Sequence, residues 1–329
     1  MPSNEIKYYN LVVTPAPHIH DGTSYSRAMY AYIIALIPAA LYAVSVYGMH
    51  AARVMGVAIA SSMISELVIQ KLFKKPVSIS DGNALLMGLL MAFILPPSVP
   101  WWLVVVGCFF SILVGKQIFG GKGGNTFHPV LLGWVTLRFS WTDYINYSYG
   151  SINYNLNFSI EYPLHILKKI GTAGIAGLNY MDMFLGKQVG GVGASAVLLI
   201  MIGGLFLIAL GIISWRIPVS YIAGVAATAL VFWLANPQKF ADPIFHIVVG
   251  NVMIGAFFFA TDYSSSPANK LAMLIFGFGC GFFTVIFRIL SNNPNGVFFA
   301  ILFMNILFPL LDKIRPSVPG KVKHEVKDT

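Results

Sequence analysis

Six polar residues stand in or at the edges of long apolar runs: Glu66, Asp81, Asn83, His128, Asn251 and Asp262. Ionisable groups at such depth are costly, so this set is the candidate interior site for holding or passing a proton or a small cation. Structural readings stand beside the functional ones. Asp81 can cap the helix that begins near Asn83, His128 before Pro129 can be a satisfied interfacial residue, and Glu66 can pair with a basic group on another helix. No Ser, His and Asp arrangement, P-loop or dinucleotide fingerprint lies where a strand, turn and helix could hold it. Cys108 and Cys280 each sit alone in an apolar run, without the close Cys or His spacing that binds zinc or an iron-sulfur cluster. They read as packing residues. No catalytic residue and no metal site is expected.

The elements that must position these residues are set by composition. Of 329 residues, 57% are hydrophobic and only 10% charged, and the mean hydropathy is +0.74, where soluble domains carry roughly 25% charged residues. Much of this surface needs a lipid bilayer. The run 28–48 has no charge and is long enough to cross a hydrocarbon core of about 30 Å. Similar runs repeat along the chain, so the expected fold is an all-α integral membrane protein of about ten transmembrane helices. The polar first residues lack the apolar core of a cleaved signal peptide, so the first span is expected to direct insertion.

The net charge of +9 does not point to nucleic acid, because the basic residues are spread over loops and form no aromatic-studded groove. It is topological. With the N-terminus in the cytoplasm, most of the 21 Lys and Arg fall in cytoplasmic segments, Lys116 among them, and both termini lie inside. Arg288, Lys168 and Lys239 are then assigned to the outer side.

The two halves of the chain resemble each other. GNALLMGLLMAF from Gly82 is echoed by GNVMIGAFFFAT from Gly250, and GCFF from Gly107 by GCGFF from Gly279. Five spans per half invert the second half relative to the first and place a site at the midplane between them. Only about 13 residues separate Asn83 from Pro96, too few to cross the core, so this segment is expected to be a half-helix. The resulting division is a cytoplasmic segment 1–27, a first membrane repeat 28–142, an outer-facing loop 143–193, a second repeat 194–312 and a basic cytoplasmic tail 313–329.

Five patterns occur in order: TPAPHIHDGTSYSRAMYAYIIALIPAAL, SDGNALLMGLLMAFILPPSVPWWL, GKQIFGGKGGNTFHPVLLG, GAFFFATDYSSSP and NNPNGVFFAILFMNILFPLLDKIRP. Together they closely resemble the family of D subunits of the Rnf electron-transport complex. They also resemble, less closely in length, the B subunit of the sodium-translocating NADH:quinone oxidoreductase. The resemblance implies a urea-transporter-like fold of two inverted repeats in the cytoplasmic membrane. It implies a subunit that takes part in flavin-mediated electron transport between ferredoxin and NAD, coupled to sodium or proton movement. The implied partners are iron-sulfur and flavin subunits of the same complex, and the chain alone is expected to be no autonomous enzyme.

In this family FMN is attached through its phosphate to the threonine of an SGATPL-like motif. Alignment on the proline, the leucine and the downstream MDMFLG places SIEYPL there, from Ser159 to Leu164, with Tyr162 at the threonine position. The expectation is that this chain carries no flavin covalently at that residue. Three readings of the loop stay open: no covalent flavin, a flavin held without a bond, or attachment to a neighbouring hydroxyl such as Ser159 or Thr172. The turn GGVGASA, with Gly190 and Gly193, matches the family's glycine-rich turn and is either a flavin contact or simply a turn. Two competing functions remain from other classes: a channel or carrier for a small solute, and a flavin-free scaffold of the complex.

Overall fold

The computed structural model describes residues 24–147, 161–291 and 294–314. It is all-helical, with no strand among the described residues. The first half contains α1 (Tyr25–Tyr47), α2 (Met49–Leu72), α3 (Asn83–Ile94), α4 (Trp101–Ile112) and α5 (Pro129–Ser140). The connection contains the short α6 (Pro163–Ile170), α7 (Thr172–Ile175) and α8 (Tyr180–Phe184). The second half contains α9 (Val197–Ala209), α10 (Arg216–Ala235), α11 (Pro243–Val248), α12 (Val252–Ile254), α13 (Lys270–Leu290) and α14 (Val297–Leu311).

Four helices, α1, α2, α10 and α13, are long and apolar enough to cross a membrane; the other apolar helices are shorter. Exposed Ile34, Leu41, Ile64, Val68, Val231 and Leu234 cover their outer faces with hydrocarbon, as a lipid solvent demands. Inside, small residues let the backbones meet. A Cβ on Gly88 of α3 would stand 2.6 Å from the Ala58 carbonyl oxygen of α2, and one on Gly281 of α13 would strike the backbone of α10 at Tyr221. Glycine is therefore what allows these crossings.

A common order runs through both halves. In the first, α2 packs on the short α3 and on α4, which packs on α5; in the second, α10 packs on the short α11 and on α13, which packs on α14. Helices α1 and α9 join the halves. The expected half-helix is there: α3 has 12 residues and ends before Pro96. Its counterpart is more broken, and consists of α11, a turn at Gly250, α12 and a π-helical turn Gly255–Phe259. Gly250 has φ 80°, a left-handed conformation that a side chain disfavours, and Gly82 before α3 has φ 78°.

The described residues of the connection between the halves form a packed layer. Tyr147, Tyr162, Leu164, Ile166, Phe245 and Val249 form a second core that seats it on the turn of the second half.

Candidate functional site

The first cluster is built on α2 and the start of α3. Glu66 is fully buried, and its Oε1 accepts from Lys116 Nζ at 2.6 Å and from Gln70 Nε2 at 2.7 Å. Lys116 Nζ also donates to Asn83 Oδ1 at 2.6 Å, and Asn83 Nδ2 donates to the Tyr25 hydroxyl at 2.7 Å. Gln70 is held in turn by Ser78, whose backbone N–H donates to Gln70 Oε1 at 3.0 Å. Glu66 Oε2 has no partner among the described residues.

Lys116 reaches this point because α4 does not stop where its apolar run ends. A π-helical turn, Leu113–Gln117, carries it on, and an inserted residue of this kind re-aims the side chains that follow. Gly115 in the turn lies where a Cβ would come within 2.6 Å of Pro129 Cα, so its lack of a side chain lets the start of α5 close in. The charge pattern assigned Lys116 to a cytoplasmic segment; the fold buries it at 1% exposure. The reason is the ion pair, which lets a long basic side chain turn inward where Glu66 awaits it.

Asp81 both caps and pairs. Its Oδ1 accepts from the Asn83 backbone N–H at 2.9 Å, and its Oδ2 lies 2.5 Å from Lys122 Nζ. A cavity of about 20 Å³ is bounded by Tyr25, Asn83, Lys116, Lys122, Asn125 and Asp262, so residues of both halves share it. That volume admits about one water-sized particle. Asp262 accepts from the hydroxyls of Ser264 and Ser265, both at 3.0 Å.

His128 and Asn251 sit on other elements. His128 is buried at the start of α5 with its ring edge-on to Phe259 at 4.9 Å. Asn251 Nδ2 donates to the Tyr147 hydroxyl at 3.3 Å, and that hydroxyl donates to the carbonyl of Ile94 at the end of α3 at 2.7 Å. A residue of the connection therefore links the far end of α3 to the turn before α12. The six interior candidates thus divide: Glu66, Asp81 and Asp262 lie within electrostatic reach of Tyr25, to which Asn83 is hydrogen-bonded, His128 lies within reach of Asp262, and Asn251 stands apart.

The loop candidates also part. Ser159 lies outside the described residues. Tyr162 is 1% exposed, with its ring 5.2 Å from that of Tyr147 and 5.6 Å from that of His165. Its hydroxyl has no hydrogen-bond partner among the described residues, and burial raises its pKa above the ordinary tyrosine value. Thr172 Oγ1 donates to the Gln238 carbonyl at 2.5 Å. Gly190 and Gly193 belong to a turn packed on α3: Val192 N–H donates to the Leu95 carbonyl at 2.9 Å, and a Cβ on Gly193 would meet the Phe93 ring at 2.5 Å. Close packing accounts for that glycine.

Sequence reasoning passed over a second buried cation. Arg288, assigned to an outer segment, is only 5% exposed, and donates to the carbonyls of His246 at 2.6 Å and Val249 at 2.9 Å. A signal was present: Lys116 follows Cys108 by the same interval as Arg288 follows Cys280.

The sequence model of the NQR2, RnfD, RnfE family matches residues 12–320. The D subunit of the Na(+)-translocating ferredoxin:NAD(+) oxidoreductase complex of Acetobacterium woodii is 39% identical over 97% of this chain and 98% of its own length. The D subunit of the proton-translocating ferredoxin:NAD(+) oxidoreductase complex of Clostridium ljungdahlii is 35% identical over 97% and 98%. The D subunit of the ion-translocating oxidoreductase complex of Methanosarcina acetivorans is 33% identical over 96% and 99%.

Proposed function

The chain belongs to the NQR2, RnfD, RnfE family, and we propose that it is the D subunit of an ion-translocating ferredoxin:NAD(+) oxidoreductase complex. The observation that carries this is similarity over nearly the full length of proteins that bear that name. In this reading the chain lies in the cytoplasmic membrane with both termini inside, as two inverted repeats. It works beside iron-sulfur and flavin subunits of the complex. The recurring order of helices and the two short-helix turns support the repeat reading.

The Glu66, Lys116 and Asn83 cluster is the part of this chain that suits ion movement. A buried ammonium between a carboxylate and an amide oxygen marks a place where positive charge is stable, and the small cavity toward Asp262 supplies an approach. A proton exchanged at Glu66 or Lys116 fits this chemistry, whereas a desolvated cation has to displace the ammonium that already neutralises Glu66. The alternative, a channel or carrier for a small solute, gains no support from this seam, where the cavity of about 20 Å³ admits about one water-sized particle.

For the flavin, the residue at the family's attachment position does not fit a phosphate ester. The Tyr162 phenol is sealed in the core of the connection, and its oxygen is out of contact with solvent. We therefore assign no covalent flavin to it and derive no electron step through one. Denaturing electrophoresis under ultraviolet light with intact-mass and peptide-mass measurement tests this, and a fluorescent band heavier by one FMN whose flavin maps to Tyr162 would overturn it.

The assignment to the complex is tested by purifying the assembly from membranes through a tag on this chain. Iron-sulfur and flavin subunits should come with it, and reconstituted vesicles should take up ions during ferredoxin-dependent reduction of NAD. Glu66→Gln should cut that uptake; transport at the native level would remove Glu66 from the ion path.

A further inference from the structure

Each half buries one cation, and the two are neutralised differently. Lys116 leans on Asn83 at the start of α3, and Arg288 leans on the carbonyls just before Gly250 and Asn251. Lys116 meets Glu66 at 2.6 Å. Arg288 has no ion-pair partner among the described residues, and its guanidinium Nε has no hydrogen-bond partner among them. A guanidinium does not give up its proton, and carbonyl oxygens satisfy its donors without cancelling its charge. The titratable side chain within hydrogen-bonding range is itself a base, His246, whose Nδ1 lies 3.4 Å from Arg288.

Arg288 lines a cavity of about 580 Å³ at the outer end of α13, and the walls add more positive charge. Lys168 and Lys239 share it, and no Asp or Glu is among the residues that line it. The nearby Asp242 is engaged elsewhere: Oδ1 accepts from the Phe245 backbone N–H at 2.7 Å and Oδ2 from the Tyr180 hydroxyl at 2.8 Å. The remaining walls are apolar, with Leu164, Leu167, Phe240 and Leu290. Leu290 is 76% exposed on the outside of the bundle.

We infer that this cavity binds a phosphate-bearing anion, with the phosphate held by Lys168, Lys239 and the buried Arg288. Phosphate suits the donors, because guanidinium forks and paired ammonium groups meet several of its oxygens at once. The apolar walls and the position beside lipid-facing Leu290 favour an anionic phospholipid as the carrier. A soluble phosphate ester would present the same group. This inference is independent of the redox reading, since it rests on the charge and shape of one cavity.

The test is native mass spectrometry of the purified complex with phosphatidylglycerol, phosphatidylcholine or sn-glycerol 3-phosphate added. Lys168→Gln with Lys239→Gln is the informative variant, because both side chains are exposed; Lys168 Nζ also donates to the Ser291 carbonyl, so the double variant is first shown to melt as the native protein does. Phosphatidylglycerol should be retained in preference to phosphatidylcholine, and the double variant should weaken retention about 30-fold. Lysine-dependent binding of glycerol 3-phosphate without any lipid preference would keep the anion site and assign it to a soluble ester. If neither phosphate probe depends on the two lysines, the inference is overturned.

Discussion

Lys116 Nζ lies 2.6 Å from Glu66 Oε1 although 50 residues separate them in the chain, and neither side chain reaches the surface. Removing one partner leaves the other charge buried and alone. Lys116→Met should therefore destabilise the first half by about 3 to 5 kcal/mol. Combining it with Glu66→Gln should restore most of the loss, because no charge is then stranded. Thermal unfolding of the purified complex with each variant distinguishes the outcomes; equal melting of the single variant and the native protein would refute the pairing.

The crossing of α2 with α3 depends on Gly88. Gly88→Ala should cost about 1 to 3 kcal/mol, since the added carbon meets the Ala58 carbonyl oxygen and backbone cannot step aside. Gly56, with open space at its Cβ position, is the control. Gly56→Ala should leave the melting temperature unchanged or raise it slightly.

Tyr162 presents a buried ring and an unpartnered hydroxyl. Tyr162→Phe should change stability by no more than about 0.5 kcal/mol, whereas Tyr162→Ala should cost about 3 to 5 kcal/mol through the cavity it leaves. Urea titration of the two variants measures the contrast. A large loss from the phenylalanine variant would show that the oxygen is bonded after all.

His165 lies half-buried in the connection, and burial together with Lys169 holds its pKa below the ordinary value of 6.5. The folded connection binds a proton less readily than the unfolded one. Its stability is therefore intact above pH 6.5 and falls as the pH drops through the folded value. Amide protection across α6, taken relative to the intrinsic exchange rate at each pH, should fall on acidification below pH 6.5, and His165→Gln should flatten that dependence.

Both native cysteines are 0% exposed, so engineered thiols can be labelled against a silent background. With both termini inside, Lys75→Cys and Lys313→Cys should react from the cytoplasmic face and Lys187→Cys from the other. Labelling of Lys75→Cys and Lys313→Cys from opposite faces would break the five-and-five arrangement.

Much of the frame was legible because lipid writes it into the sequence. Charge-free runs mark the spans, and Pro96 and Pro97 following so soon after Asn83 mark a helix too short to cross. For Glu66 the sequence offered two readings, a member of an ion path and a carboxylate paired with a basic group on another helix. The identity of that partner was not legible. Lys116 stands near the end of an apolar run, where the charge pattern put it in a cytoplasmic segment, and a π-helical continuation of α4 carries it inward. Arg288 was hidden in the same way, as a cation near a helix end whose carbonyl partners lie on a turn of another segment. The glycines of the turn at Gly190 matched a family pattern, yet part of their local reason is contact with Phe93, which no spacing rule reveals.

Tyr147 comes from the stretch that joins the halves, and its oxygen is tied at once to Asn251 and to Ile94. At this residue the joining stretch acts as a keystone. Anyone splicing a reporter into it, or exchanging it for that of a relative, has to keep this phenol seated, or the arch it closes loses its crown.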